Sequence, residues 1–345
     1  MLFKKNYHAL FLILALDVVA VLGFLSSLSI TKEECRSLLC PLSALSERQM
    51  QFWEDVEDGL NEIEKSFEGE RINIDRVREF TKSASGEIPP PIGLGPYHQP
   101  CEEYIDGLTA NPFWDVTNNP DLFPWAAELE SQADIICEEY IEKLKQRELF
   151  AGDSVWQNQV MGTGWSAVRL RRLGVWNAPN CAEFPKTYNI LQSLDIPFAV
   201  RGVCFARQVP GSGVQPHSDG RNFILTSQLG LQVPSEGECW IKVGSEQRSW
   251  VEGKLTTLDT SFEHSTANMG KTDRHILIID FWHPELSVAE QTALNFVYDL
   301  RNKFESGQIP IRTPRRKKYS VANNTNKEKS NDGLVGLWNI LTGQK

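Results

Sequence analysis

None of the seven cysteines in this 345-residue chain forms a CxxC pair, so the usual structural-zinc signature is missing. Basic charge is also in short supply. There are 35 Lys and Arg against 45 Asp and Glu, a net charge of -10. Phosphate neutralisation needs a basic surface that such a chain does not offer overall, which excludes general nucleic-acid binding. The one dense basic run, Arg312 to Lys318, lies in a polar tail and reads as a solvated segment.

Long apolar runs are equally scarce, with one exception at the start. Lys4 and Lys5 precede a stretch from Ala9 to Ile30, which approaches the roughly 20 residues that span a bilayer. It exceeds the about 7 to 15 residues of a signal-peptide core, although Ser27-Leu28-Ser29 could serve as a cleavage site. The preferred reading is an uncleaved signal anchor, with a cleaved leader as the alternative. Asp17 is costly at a bilayer centre unless it is protonated. Positive charge before the run and Glu33-Glu34 after it place the N-terminus in the cytosol and the bulk of the chain across the membrane. Asn323-Asn324-Thr325, a glycosylation triplet, fits that placement. So does the cysteine count, although an odd number leaves at least one thiol unpaired.

The remainder has a globular profile, 41% hydrophobic and 23% charged. Met50, Trp53, Val56, Leu60, Ile63 and Phe67 recur at spacings of three and four, predicting an amphipathic helix that packs on the main domain or forms a short stalk. Residues 83–100 are rich in proline and glycine and read as a linker. In 122–146, Trp125, Leu129, Ala133, Ile136, Tyr140 and Leu144 form a second helical stripe. Beyond about residue 165 come short β-branched and aromatic runs broken by Gly, Pro and Asn. Strands are predicted at 200–209, 222–233, 239–243, 255–259, 262–267 and 274–282, with a final helix at 286–304. The resulting division is an anchor (1–30), a helical stalk (31–82), a linker (83–110), a catalytic domain (111–310) and a polar tail (311–345). The fold class is mainly β, a sandwich or jelly roll with flanking helices.

The stretch "VQPHSDGRNFILTSQLGL" carries the chemistry. On a β-strand, side chains at i and i+2 leave the same face, so His217 and Asp219 would aim at one point. With His264 from "LDTSFEHSTAN" they make a two-histidine, one-carboxylate set that leaves coordination sites open on iron, as an oxygenase requires. Arg274 begins "RHILIIDFW". A buried arginine on a sheet needs an anion, and its fork suits the carboxylate of a dicarboxylate such as 2-oxoglutarate. Alternation places Arg274 with Ile276 and Ile278, and His275 with Leu277 and Ile279. His275 is expected to face outward, and neither it nor His283 is expected to be a ligand. Cys204 and Cys239 read as small buried hydrophobes.

Those segments, together with "GWSAVRLRRLGVWNAPNCAEFPKT", "WVEGKLTTLDTSFEH" and "FWHPEL", resemble the aspartyl/asparaginyl β-hydroxylase family of Fe(II)/2-oxoglutarate oxygenases over roughly residues 120–300. The resemblance implies a double-stranded β-helix with His217 and His264 on iron and Arg274 on the distal carboxylate of 2-oxoglutarate. It implies hydroxylation of an unactivated carbon with O2. A membrane anchor before a lumenal domain is similar to the animal aspartyl hydroxylases of the endoplasmic reticulum.

Two departures concern the site. Asp219 stands where those animal enzymes carry glycine, and it restores the fuller triad found in related bacterial lipid A hydroxylases. Ile224, Thr226 and Gln228 stand where they place basic residues for substrate and cosubstrate, which leaves Gln228 beside Arg274 as a cofactor-binding candidate. Arg169, Arg171 and Arg172 either restore that charge or lie on the surface. Three functions follow: a hydroxylase of a residue in secretory-pathway proteins, a hydroxylase of lipid acyl chains with Phe223 and Ile224 near the site, or a jelly-roll module that binds without turnover.

Overall fold

A computed structural model describes residues 46–67, 72–89, 97–98, 103–146, 155–156, 162, 164–235, 237–310 and 312. The anchor segment, Cys35, Cys40, Cys101 and the tail from 313 lie outside the described residues. Among the described residues no helix is long and apolar enough to cross a membrane.

The first helices are α1 (Glu47–Ser66) and α2 (Asp75–Ala84). After β1 (Phe113–Trp114) come α3 (Ala126–Ser131), α4 (Ala133–Gln146) and β2 (Val155–Trp156). Then follow β3 (Trp165–Arg172), β4 (Val175–Trp176), α5 (Ala178–Glu183) and α6 (Pro185–Ser193). The central strands are β5 (Phe198–Gln208), β6 (Ser212–His217), β7 (Ile224–Gln232), β8 (Cys239–Val243) and β9 (Glu246–Ser249). The chain continues through β10 (Leu255–Asp259), β11 (His264–Asn268) and β12 (Arg274–Trp282) to α7 (Val288–Glu305).

The strands form two sheets, ordered β1-β10-β7-β12-β5-β3-β2 with β4 on β3, and β6-β11-β8-β9. All of the strand pairings are antiparallel. From β5 to β12 the chain passes back and forth between the sheets, which is the winding of a double-stranded β-helix. Strands 239–243, 255–259 and 274–282 fall where expected. The short strands β6 and β9 escape the pattern because each carries polar residues through exposed positions.

Both faces of the large sheet are covered. Its inner face packs Ala206, Ile276 and Leu258 against Val214, Ile241 and Val243 of the small sheet. Its outer face packs Phe205, Leu277 and Ile279 against Leu129, Ile136 and Tyr140 of α3 and α4. The stripe expected over 122–146 is buried as expected, though the helix breaks at Gln132. The same cover corrects the expectation for His275. It is only 5% exposed, and its Nδ1 meets the Tyr140 hydroxyl at 2.7 Å. Alternation assigned it the right face, but that face is roofed by a helix.

At the end where β5 and β7 begin and β12 finishes, α1, α2 and α7 pack over Phe223, Ile224 and Trp282. Each of α1 and α7 starts in a capping box, Ser46 with Gln49 and Ser287 with Glu290. Gly59 of α1 sits against the Phe296 ring of α7, where a Cβ would lie 1.9 Å from it. Val56, Leu60 and Ile63 are buried as the stripe predicts, but Met50 is 46% exposed because α1 meets α7 along a narrower face. So α1 takes the packed rather than the stalk form. Segment 103–108, assigned to the linker, is also packed: Ile105 is fully buried and its N–H and carbonyl both bond the Asn222 amide.

Candidate metal centre and its cavity

His217 closes β6 and His264 opens β11, and the two residues face each other in the strand register. Their rings lie 4.2 Å apart, centre to centre. Each Nδ1 points at a carbonyl two residues back, Gln215 at 2.8 Å and Phe262 at 2.9 Å. A carbonyl can only accept, so each Nδ1 carries the proton and each Nε2 lone pair is left for a ligand.

Asp219 reaches the same point by a route different from the one expected. The strand ends at His217, and Asp219 sits in the following turn, where its N–H donates to the Thr260 carbonyl at 2.9 Å. Gly220 at φ 71° lets the chain leave that turn. Asp219 Oδ1 lies 3.8 Å from His217 Nε2. One ligand atom from each of His217, Asp219 and His264 fits within 4.8 Å of the others.

The segment between β10 and β11 holds this set together. The carbonyls of Thr260, Ser261 and Phe262 accept in turn from Asp219 N, Ser218 Oγ and His264 Nδ1. Asp259 holds the segment from below, its Oδ1 accepting from both N and Oγ of Ser261 at 2.9 and 2.6 Å. His98, stacked on Phe262, closes it from the other side through Ser261 Oγ at 2.6 Å.

The electrostatics suit a cation. Burial opposes a charge on Asp219, but the Arg201 guanidinium beside it outweighs that and holds the carboxyl far below the ordinary range. Burial pushes the His264 imidazole down, which keeps it neutral for coordination. His217 Nε2 is buried and has no hydrogen-bond partner among the described residues. An orphaned lone pair facing a carboxylate and a second imidazole is what a metal ion would satisfy, so the donor set fits iron.

Arg274 lies on the inner face of β12 and is 2% exposed. Its guanidinium stacks over Trp250 at 4.5 Å, while Nε and Nη2 have no partner among the described residues. Burial pushes it down to about 10. A buried, unpaired fork is a site for a carboxylate. Gln228 belongs to the same group one step removed: its Oε1 accepts from Trp250 Nε1 at 2.8 Å and so sets the ring under Arg274. Ile278 and Asp280, further along the same strand, line a cavity of about 640 Å³ that also contains His217 and Asp219. Arg274, four residues before Ile278 on that strand, is not among the residues that line this cavity.

That cavity is rich in arginine although the chain is acidic. Arg169 and Arg172 enter from β3, Arg201 from β5, Arg221 from the turn before β7 and Arg301 from α7. Of the three basic residues singled out on β3, Arg171 turns away, stacking on Phe198 and donating to the Ala199 carbonyl. Arg221, Arg301 and the Tyr298 hydroxyl all bond Glu103. Phe223 and Ile224 are not in the cavity. Both are fully buried under α2 and α7. His283 has both ring nitrogens engaged, with the Thr109 carbonyl and Glu285 N. Cys137, Cys181, Cys204 and Cys239 form no disulfides among the described residues, and burial pushes the Cys204 thiol up to about 12.

Sequence reasoning missed Arg201, Asp280, Arg221 and Tyr298, which carry no motif. The one available hint was charge, arginines set in otherwise apolar runs.

Comparison with known proteins finds relatives over the same stretch of the chain. The family model for aspartyl/asparaginyl beta-hydroxylase matches residues 130–284. The aspartyl/asparaginyl beta-hydroxylases of Mus musculus and Homo sapiens are each 31% identical over 193 residues, which is 55% of this chain. Human aspartate beta-hydroxylase domain-containing protein 2 is 33% identical over 140 residues, 39% of this chain and 37% of its own. The matched region spans only 26% and 25% of the mouse and human hydroxylases. The stretch that matches the aspartyl/asparaginyl beta-hydroxylase family model, residues 130–284, includes the three ligand candidates and the buried arginine.

Proposed function

We propose that the protein is an Fe(II)- and 2-oxoglutarate-dependent dioxygenase that hydroxylates an unactivated carbon of an Asp/Asn-type residue in a protein or peptide. The observation that carries this is the convergence of His217, Asp219 and His264 around an orphaned imidazole nitrogen. When bound, iron with 2-oxoglutarate and O2 supplies the oxidising power, placing one oxygen atom on the substrate carbon as 2-oxoglutarate becomes succinate and CO2. The chain's own residues hold and orient. His217, Asp219 and His264 ligate the metal, and Arg274 takes the distal carboxylate of the cosubstrate. Gln228 steadies the Trp250 ring on which Arg274 rests.

Arg169 and Arg172 bring positive charge to the cavity wall for a polar or acidic substrate side chain, where Ile224, Thr226 and Gln228 carry none. The burial of Phe223 and Ile224 removes the feature that favoured an acyl chain. A non-catalytic module has no use for both a buried arginine with unpartnered nitrogens and a complete ligand set in one barrel. The apolar run 9–30 and the family resemblance support an N-terminal membrane anchor with the catalytic domain in the lumen of the secretory pathway, the endoplasmic reticulum in particular.

The test is conversion of 2-oxoglutarate to succinate by the full chain with added Fe(II), beside His264→Ala, with peptides containing Asp or Asn. Turnover that is raised by one peptide and abolished in the variant is the expected result. A chain that binds Fe(II) but consumes no 2-oxoglutarate with any peptide or lipid would return the binding module to first place.

A further inference from the structure

Arg201 does something that strand alternation does not anticipate. On β5 it shares the cavity with Cys204, three residues away, although neighbours on one face of a regular strand are two apart. The irregularity lies at Gly202. Its φ is 109°, and a Cβ there would lie 1.9 Å from the Arg171 carbonyl oxygen, so only glycine fits. The β3–β5 register shifts between Arg169 and Arg171, and the β12–β5 register shifts between Ile279 and Phe281. This local bulge turns Arg201 inward.

Once inside, the guanidinium is held from three directions. Nη1 donates to Asp219 Oδ2 and, at 3.1 Å, to Thr260 Oγ1. Nε lies 3.4 Å from Asp280 Oδ2, and the other Asp280 oxygen accepts from Thr226 Oγ1 at 2.6 Å. Asp219 Oδ1, the oxygen nearer His217 Nε2, is thereby left to face the imidazoles. Arg201 and Asp280 balance each other, so the negative charge of Asp219 stays available to a cation.

We propose that Arg201, seated by the Gly202 bulge and anchored on Asp280, is a positioning residue that occupies one oxygen of Asp219 and makes it a one-oxygen metal ligand. The proposal rests on the oxygenase reading of the site. Hydrogen-bonded partners of metal ligands typically hold 10–100-fold in metal affinity, about the range expected here. The fork geometry is needed, because lysine offers a point charge that cannot face Asp219 and Asp280 together.

The experiment uses metal-free full chain and Co(II) alone, followed by calorimetric titration and the visible d–d absorption of the bound ion. Arg201→Met is expected to weaken Co(II) binding about 10–100-fold and to change the d–d spectrum, with far-UV circular dichroism unchanged. Arg201→Lys, the more conservative change, is expected to show the same spectral change with a smaller loss. In an Asp219→Asn background, Arg201→Met should add almost nothing, because its effect runs through that carboxylate. If both Arg201 variants bind Co(II) with the wild-type affinity and spectrum, the guanidinium merely neutralises Asp280 and the proposal falls alone. If the wild type shows no Co(II) site that His264→Ala removes, the oxygenase reading falls with it.

Discussion

Replacing Arg274 by Met should make the protein more stable and unable to respond to 2-oxoglutarate. Arg274 is 2% exposed, and two of its nitrogens lack partners among the described residues. Each buried unpaired donor costs about 1–3 kcal/mol. The Trp250 face returns part of that, about 0.5–2 kcal/mol for a cation over a ring. Methionine fills much of the same volume without polar atoms, so the net gain is about 1–4 kcal/mol, in line with replacing buried ionic groups by apolar ones. At about 2–4 °C per kcal/mol for a domain of this order of size, the cosubstrate-free variant melts roughly 2–16 °C above the wild type. Cosubstrate at 100 times its Kd adds about 2.7 kcal/mol to the wild type and nothing to the variant. Differential scanning calorimetry with and without 2-oxoglutarate reads both effects. A variant that melts below the wild type without ligand, or gains the same ligand shift, would refute the assignment.

Two further expectations test the surroundings. Burial pushes Asp259 up to about 7 against the opposing bonds from Ser261. With its folded value above an unfolded one of about 3.9, stability present below about pH 4 is lost as pH rises through about 7. Asp259→Asn should remove that slope, up to about 1.4 kcal/mol per pH unit. Urea melts from pH 4 to 8 check it, and parallel curves for the two proteins would contradict it. Glu139 of α4 accepts the Lys186 and Thr187 N–H groups at 2.8 Å in the first turn of α6, and the Thr187 hydroxyl at 2.7 Å. Glu139→Ala should cost about 2–4 kcal/mol, since a buried charge-assisted cap is lost. A loss under about 1 kcal/mol in chemical denaturation would mean that water replaces it.

Much of the fold was legible because its signals are local. β10 and β12 are runs of β-branched and apolar residues punctuated by turns, and the stripe from Trp125 to Leu144 needed only a period near 3.6. The candidate histidine pair was named by residue chemistry more than by strand pattern: His264 lies in a predicted strand, whereas β6, which ends at His217, escaped prediction. Even so, Asp219 arrived at the metal set through a turn pinned by Thr260, not through the strand alternation that first suggested it.

Contacts between distant segments were not legible. The outward or inward fate of His275 depended on α4 lying across the sheet. The packing of 103–108 depended on Asn222, and Glu103 found Arg221 and Arg301 only through closure of the barrel and the placement of α7. The amino-acid sequence by itself determined the strand content, the identity of the candidate ligands and the presence of a buried arginine, because each follows from local periodicity and donor chemistry. Only the tertiary structure decided which arginines reach the cavity, which oxygen of Asp219 is free and why Arg201 points inward. Those depend on a strand bulge and on side chains brought together from β5, β12 and the turn after β6.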